Sequence, residues 1–174
     1  MSESAVDTER IAQNKLKLNY SNHSVSELLL DCLNMFSGIA ELKGLTFTTG
    51  NTETECIYIK CDYDLVLQVL SNLIDNALKF TPQGGNIKLN VVIESSVVKF
   101  EVVDNGPGIA DAARAQIFEQ FSQLKSTDRS GLALGLYISN WLVKAHGEAI
   151  QITSQVGKGS TFSFSLPICL PNLN

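Results

Sequence analysis

The stretch Asn72-Leu-Ile-Asp-Asn76-Ala-Leu-Lys79 lies within a helix that the sequence predicts from Asp62 to Phe80. At ~100° per residue, its two asparagines and its lysine fall within an arc of about 60°, beside a broad apolar face. That face consists of Val66, Leu70, Leu73, Ile74 and Ala77. Asparagine is a mediocre helix former because its side chain competes for backbone hydrogen bonds. The two asparagines could simply form a solvent-exposed face of the helix. Because asparagine destabilises a helix, finding two of them in one helix favours a functional use.

The segments around this helix predict a two-layer α+β sandwich. Residues 17–24 are expected to be an extended polar connection, and residues 122–130 a polar loop. Strands arrive in hairpins and do not alternate regularly with helices, so the sheet should be mixed or antiparallel, with about three helices on one face. Helices are predicted over 25–42, 62–80, 111–121 and 133–146, and strands over 45–50, 55–60, 87–93, 97–103, 149–154 and 160–166.

Composition argues against several classes of function. The net charge is −5 and the chain has no basic run, which disfavours nucleic-acid binding. No apolar run approaches the ~18 residues of a membrane span, and the N-terminus has no apolar stretch typical of a signal peptide. The 4 cysteines lack CxxC spacing and there are only 2 histidines, which disfavours a zinc site. We expect a cytoplasmic domain with reduced thiols and no membrane contact of its own, in a parent protein that could be membrane-anchored.

The amides on the predicted helix suit a metal and a phosphate. An amide carbonyl is a hard, neutral oxygen ligand, and Mg²⁺ takes a few such ligands together with water and phosphate oxygens. Lys79 lies one turn beyond Asn76 and can reach a phosphate as a point charge. The spacing therefore favours a site for a Mg²⁺-nucleotide that is not built on a P-loop.

A second stretch, Asp104-Asn-Gly106-Pro-Gly108-Ile109, follows a predicted strand directly. The Asp104 carboxylate sits where a buried strand reaches the surface, and a carboxylate can accept a hydrogen bond from an exocyclic amine such as that of adenine. The glycines let the backbone approach a planar ring or reverse direction. Taken alone, the segment is better explained as an Asx-type turn. The amide-bearing helix some thirty residues earlier favours the nucleotide.

Five ordered motifs resemble the catalytic and ATP-binding domain of sensor histidine kinases, in the superfamily shared with DNA gyrase, MutL and the large heat-shock chaperones. The N box is matched by 72–81, the G1 box by 104–109, the F box by 117–121, the G2 box by 131–136 and the terminal strand motif by 157–167. The resemblance implies a Bergerat-type fold over residues 17–170, with residues 1–16 as the remnant of an upstream dimerisation helix or linker and 171–174 as a tail.

The resemblance also implies ATP and Mg²⁺ as cofactors and assigns roles by motif. Asn76 would bind the metal, Asn72 and Lys79 would face the phosphates as catalytic residues, and Asp104 would bind the adenine amine with support from Thr161. Phe118 and Phe121 would anchor a lid over 122–132, to which Gly131 and Gly135 would give freedom. In that lid, Lys125 or Arg129 could touch the γ-phosphate or remain a solvated charge. The rest of the implied ATP-binding set is Phe80, Gly106, Gly108, Ile109, Leu132, Ala133, Leu134 and Leu136.

One position separates transfer from hydrolysis. In the ATP-hydrolysing members of the superfamily that this chain resembles, a glutamate one turn before the metal-binding asparagine activates water. Asn72 occupies that position here and cannot act as a general base, and Asp75 lies well off that face. Phosphoryl transfer needs mainly positioning and charge neutralisation, so transfer to a protein acceptor is favoured over hydrolysis.

Two departures from the family pattern leave alternatives open. Neither His23 nor His146 is followed by the acid and arginine of a phosphoacceptor motif, so the acceptor histidine is expected on a separate dimerisation domain, with a response regulator receiver domain as the next partner. Ala133 replaces the middle glycine of the G2 box, at a cost of ~1 kcal/mol or more if that position needs a positive φ. The alternatives are a degenerate signalling module with weakened nucleotide binding, and an ATPase or serine kinase. As an isolated domain the chain is expected to be a monomer.

Overall fold

A computed structural model of the chain describes residues 17–50, 56–114, 117 and 130–170. Within these residues the helices are α1 (Val25–Leu42), α2 (Tyr63–Phe80), α3 (Asp111–Arg114) and α4 (Ser130–Ala145). The strands are β1 (Ser21–Ser24), β2 (Thr46–Thr49), β3 (Tyr58–Cys61), β4 (Asn86–Glu94), β5 (Val97–Asp104), β6 (Gln151–Gln155) and β7 (Gly159–Cys169). The α+β class predicted from the sequence is confirmed.

The seven strands form one mixed sheet in the order β1-β3-β7-β5-β4-β2, and β6 pairs with the first half of β7. The β2–β4 pair is parallel, and the other pairs are antiparallel. The long strand β7 therefore ties the β4–β5 hairpin to β6 and β3. Its pairing with β5 brings Asp104 directly opposite Ser160, at the end of the sheet where the candidate site lies.

The helices cover one face of the sheet because side chains alternate along each strand. In β5, Val98, Phe100 and Val102 are almost fully buried beneath the helices. Phe100 stacks on Phe164 of the neighbouring strand, with ring centroids 5.4 Å apart. By the same alternation Asp104, two residues beyond Val102, belongs to the covered face. The strand that builds the core thus also delivers a carboxylate to the rim of the core.

Helix α2 begins and ends where the sequence predicts. The side chain of Asp62 caps it by accepting a hydrogen bond from the backbone N–H of Leu65. Its apolar face is buried, including Leu70, Leu73 and Ile74. Asn72 and Asn76 are half-buried beside that face, as their positions on the helical wheel require.

Two predictions about the elements need correction, and a third is tested only in part. Residues 21–24 form the strand β1, not a connection, because their backbone pairs with β3 at the sheet edge. Helix α4 begins at Ser130, three residues before the predicted start, so the glycines of the G2 segment lie inside a helix. The predicted helix over 111–121 is confirmed at Asp111–Arg114, residue 117 lies in a turn, and 115–116 and 118–121 lie outside the described residues.

Two further features bear on the classes excluded from composition. No described helix is both long and apolar enough to cross a membrane. All four cysteines are free, with Cys32 and Cys61 buried and Cys56 exposed. Burial raises the pKa of the Cys32 and Cys61 thiols to about 12, so these two are poor nucleophiles.

Candidate functional site

A cavity of about 340 Å³ lies between α2, the loop after β5 and the start of β7. Six residues of its wall belong to the set predicted from the sequence: Asn76, Phe80, Asp104, Gly108, Ile109 and Leu136. Seven others were not predicted: Ala77, Pro107, Ala110, Ala113, Ile117, Ser160 and Phe162. The wall is mostly apolar and carries an amide at one place and a carboxylate at another, which is typical of a site for a small ligand.

Asp104 lines this cavity, and one of its two carboxylate oxygens is held by the backbone. Its Oδ1 accepts hydrogen bonds from the backbone N–H groups of Gly106 at 2.8 Å and Ser160 at 3.3 Å. None of the described residues donates to the other oxygen, Oδ2. Burial raises the pKa of the carboxyl, and the two N–H donors oppose that rise only in part. The arrangement holds the carboxylate rigidly and leaves Oδ2 able to accept a hydrogen bond from a ligand.

Ser160, not Thr161, supports this carboxylate, which corrects the prediction from the sequence. The β7 register sets Ser160 opposite Asp104 and Thr161 opposite Val103. Because neighbouring side chains in a strand point to opposite faces, Thr161 lies on the face away from the helices. Ser160 and Phe162 line the cavity. The donor is the backbone N–H of Ser160, so the register between β5 and β7 decides the contact and neither hydroxyl does.

The loop that follows β5 and contains Gly106 and Gly108 is hydrogen-bonded to the β6–β7 hairpin. Pro107 accepts a hydrogen bond from the backbone N–H of Gly157 at 2.7 Å, and the N–H of Ile109 donates to Ser154 Oγ at 2.8 Å. Gly108 has φ +70°, and a Cβ there would overlap the carbonyl oxygen of Gln155. Glycine at 108 is therefore required both by conformation and by space, and the loop is a fixed wall of the cavity.

Asn76 carries a buried polar atom without a partner. Its Nδ2 is buried, and none of the described residues forms a hydrogen bond with it. An orphaned buried amide is costly and is usually explained by a ligand or an ordered water. The residue fits Mg²⁺ as a neutral oxygen ligand once the amide turns its oxygen inward. The described residues contain no group of three or more His, Cys, Asp or Glu that could hold a metal, so phosphate and water would supply the remaining ligands.

The side chain of Asn72 forms hydrogen bonds with helix α4. Its Nδ2 donates hydrogen bonds to the backbone carbonyl of Gly135 at 3.3 Å and to Ser139 Oγ at 3.0 Å. Lys79 lies exposed in the last turn of α2, while Phe80, 45% exposed, turns toward the cavity. The predicted phosphate contacts of Asn72 and Lys79 stay predictions.

A family profile described as "Histidine kinase-, DNA gyrase B-, and HSP90-like ATPase" matches residues 61–169, well over half of the chain. The chain belongs to this family. Within the family it is the ATP-binding catalytic domain of the sensor histidine kinase type, as its relatives and neighbours below indicate. The fold and the resemblance predicted from the motifs are thereby confirmed.

Two curated relatives are sensory kinases of cyanobacteria. The domain is 41% identical over 112 residues, or 63% of its length, to the adaptive-response sensory kinase SasA of a Synechococcus species. It is 34% identical over 166 residues, or 93% of its length, to the circadian input-output histidine kinase CikA of Synechococcus elongatus. It spans only 30% of the first relative and 22% of the second.

Two solved structures share the architecture. The full-length ShkA structure in complex with AMPPNP superposes with a TM-score of 0.81 at 29% identity, covering 97% of this chain and 35% of that one. The histidine kinase ThkA in complex with the response regulator protein TrrA gives 0.74 at 24% identity, covering 95% of this chain and 47% of that one. The second likeness shows the fold alone.

Part of the kinase lid lies outside the described residues, including Phe118, Phe121, Lys125, Arg129 and the stretch 122–129 of the predicted lid. Residues 130–132 of that lid belong to helix α4, so the prediction that Gly131 and Gly135 loosen a loop is corrected: both have helical backbone. The backbone of Leu132, Ala133 and Leu134 is helical too, while their side chains are outside the described part. Alanine favours a helix over glycine, so Ala133 carries no backbone strain in this conformation.

Both histidines of the domain make hydrogen bonds. His146 follows the end of α4, where its Nδ1 bonds the carbonyl of Leu142 at 2.8 Å and its Nε2 accepts from the N–H of Asp62 at 3.2 Å. His23 Nε2 lies 2.6 Å from Ser21 Oγ. That neither histidine is the phosphoacceptor stays a prediction from the missing motif.

The raised pKa of Asp104 predicts how stability depends on pH. A carboxyl whose pKa is raised by folding favours the folded state at low pH, and that contribution is lost as pH rises through the raised pKa. Asp104→Asn removes the buried charge and is therefore expected to be slightly more stable than the unaltered domain at pH 7, with the difference vanishing toward pH 3. Urea denaturation at both pH values measures this. A variant less stable at pH 7 would contradict the prediction.

Proposed function

We propose that this domain binds Mg-ATP and transfers the γ-phosphoryl group to a histidine on a separate domain of a two-component sensor kinase. The observation that carries the proposal is Asp104, which lines a mostly apolar cavity and whose Oδ1 is held by two backbone donors while none of the described residues donates to Oδ2. A planar base with an exocyclic amine fits such a site, because the amine needs an acceptor and the ring needs apolar walls.

Ile109, Leu136 and Phe162 supply the apolar walls for the base. Asn76 would hold Mg²⁺, which would neutralise charge on the phosphates. Asn72 and Lys79 lie on the same side of α2 and would face the phosphates, with Lys79 pairing with them as a point charge. The acceptor imidazole nitrogen attacks the γ-phosphorus, the bond from that phosphorus to the bridging oxygen breaks, and ADP leaves with the electron pair while the imidazole proton passes to solvent.

Transfer is favoured over hydrolysis because no base stands at position 72. An amide cannot take a proton from water at neutral pH, and the Asn72 amide is held by two hydrogen bonds to α4. Asp75, the next acid along the helix, is exposed and does not line the cavity. The domain is therefore expected to hydrolyse ATP slowly when no acceptor is present.

The domain would be one part of a longer kinase. We assign residues 17–170 to it, 1–16 to an upstream helix or linker and 171–174 to a tail. The partners are a dimerisation domain bearing the acceptor histidine and, after transfer, the receiver domain of a response regulator. We propose a cytoplasmic location and a monomer for the isolated domain. The fold it shares with ThkA, solved in complex with a response regulator, is consistent with this place in a relay.

Calorimetric titration with Mg-ATP, followed by addition of an acceptor-histidine domain and γ-labelled ATP, tests the proposal. We expect binding by the unaltered chain and label on the acceptor domain but not on this one. An ATPase would release labelled phosphate without the acceptor. A degenerate module would bind only after Ala133→Gly. Support for binding without that change comes from the helical backbone at residue 133, which alanine favours.

A further inference from the structure

Ser139 is a fully buried hydroxyl residue in the middle of helix α4, with 0% of its surface exposed. Its Oγ lies 3.0 Å from Asn72 Nδ2 on helix α2. A buried polar side chain costs stability unless it is hydrogen-bonded, so this contact accounts for its presence in the core. The contact joins the helix that carries the G2 segment to the helix that carries the metal and phosphate residues.

The partners fix which way the Asn72 amide points. The backbone carbonyl of Gly135 has no hydrogen to donate, so the amide atom 3.3 Å from it must be the nitrogen. Ser139 Oγ takes a hydrogen bond from the same nitrogen. Both N–H groups of the amide are thus used by α4, and its carbonyl oxygen remains available as an acceptor. An amide in this orientation offers a ligand an oxygen and no hydrogen.

We propose, on the basis of the function proposed above, that Ser139 is a positioning residue that holds the Asn72 amide by its nitrogen and leaves the amide oxygen available to Mg²⁺ or its bound water. An oxygen in that place attracts a cation and repels a bare phosphate. Ser139 therefore contributes to the affinity that Mg²⁺ adds to nucleotide binding, and it contributes little to binding of the base. Gly135 alone fixes the amide less firmly, because its hydrogen bond is the longer of the two.

The test measures ATP binding by calorimetry in excess Mg²⁺ and again in EDTA, and takes the ratio of the two dissociation constants. Ser139→Ala is expected to reduce the gain due to Mg²⁺ by about three- to tenfold, the range that one net hydrogen bond supports. Affinity in EDTA should change less than twofold. Ser163→Ala is the matched control, because Ser163 is also a buried serine, 5% exposed, but lies on β7 away from the cavity.

Two further variants separate positioning from loss of structure. Ser139→Cys fills the same space with a sulfur that accepts hydrogen bonds weakly, so it should show the same loss with an unchanged melting temperature. In an Asn72→Ala background, Ser139→Ala should have no further effect on the ratio, because the residue acts through Asn72.

Three outcomes would overturn the inference. If folded Ser139→Ala or Ser139→Cys gains as much ATP affinity from Mg²⁺ as the unaltered chain does, the role of Ser139 is wrong and the proposed function still stands. If Ser139→Ala reduces the Mg²⁺-dependent gain in ATP affinity as much in the Asn72→Ala background as in the unaltered chain, Ser139 does not act through Asn72. An unaltered chain whose ATP affinity does not respond to Mg²⁺ overturns both this inference and the proposed function.

Discussion

Asp104→Asn is expected to weaken ATP binding by about 10- to 150-fold, the range for losing a hydrogen bond to a charged group. The Gly106 and Ser160 N–H groups hold Oδ1, so the carbonyl of the new asparagine must take that place. Its NH₂ group then occupies the position of Oδ2 and meets the exocyclic amine of adenine donor to donor. Calorimetric titration with Mg-ATP measures the loss.

Asp111→Asn is the matched control for this substitution. It changes the same charge at an exposed side chain that pairs with Arg114 outside the cavity, and affinity should change less than twofold. Inosine triphosphate sharpens the test, because its base has an oxygen where adenine has the amine. The amide introduced at position 104 would donate to that oxygen, so the preference for ATP over inosine triphosphate should fall. Unchanged ATP affinity in Asp104→Asn would mean that the base binds elsewhere.

Gly159→Ala is expected to destabilise the domain by ~3 kcal/mol or more and to abolish nucleotide binding. Gly159 has φ +102°, a conformation that side chains rarely adopt, and its Cβ would overlap the backbone carbonyl oxygen of Asp104. The strand end that carries the carboxylate would have to move away. Urea denaturation and ATP titration of the same sample measure both effects.

Gly157→Ala, two residues earlier in the same turn, separates conformation from space. Gly157 also has a positive φ, +80°, but nothing lies within 4 Å of the position its Cβ would take. The expected cost is the conformational one alone, about 1 kcal/mol, with ATP affinity retained. If both variants lost the same stability, close packing beneath Asp104 would not be the reason that residue 159 is glycine.

Much of the site could be predicted because its residues are neighbours in sequence. Asn72 and Asn76 are one helical turn apart, so their shared face follows from the helix alone. Asp104 ends a strongly apolar strand, so its place at the rim of the core follows from the strand period. The edge strand β1 was missed because Ser21–Ser24 is polar, and its pairing with β3 supplies a stabilisation that its composition does not signal.

The sequence by itself determined the α+β class, the helix that carries the amides and the acid before the glycine loop, because helical and strand periodicity are local properties. Only the tertiary structure decided that Ser160 rather than Thr161 supports Asp104, since that depends on the register between β5 and β7. It also decided that the Asn72 amide turns its nitrogen toward Gly135 and Ser139. Those partners lie more than sixty residues away along the chain, and hydrogen-bonding capacity is matched only when the helices pack together.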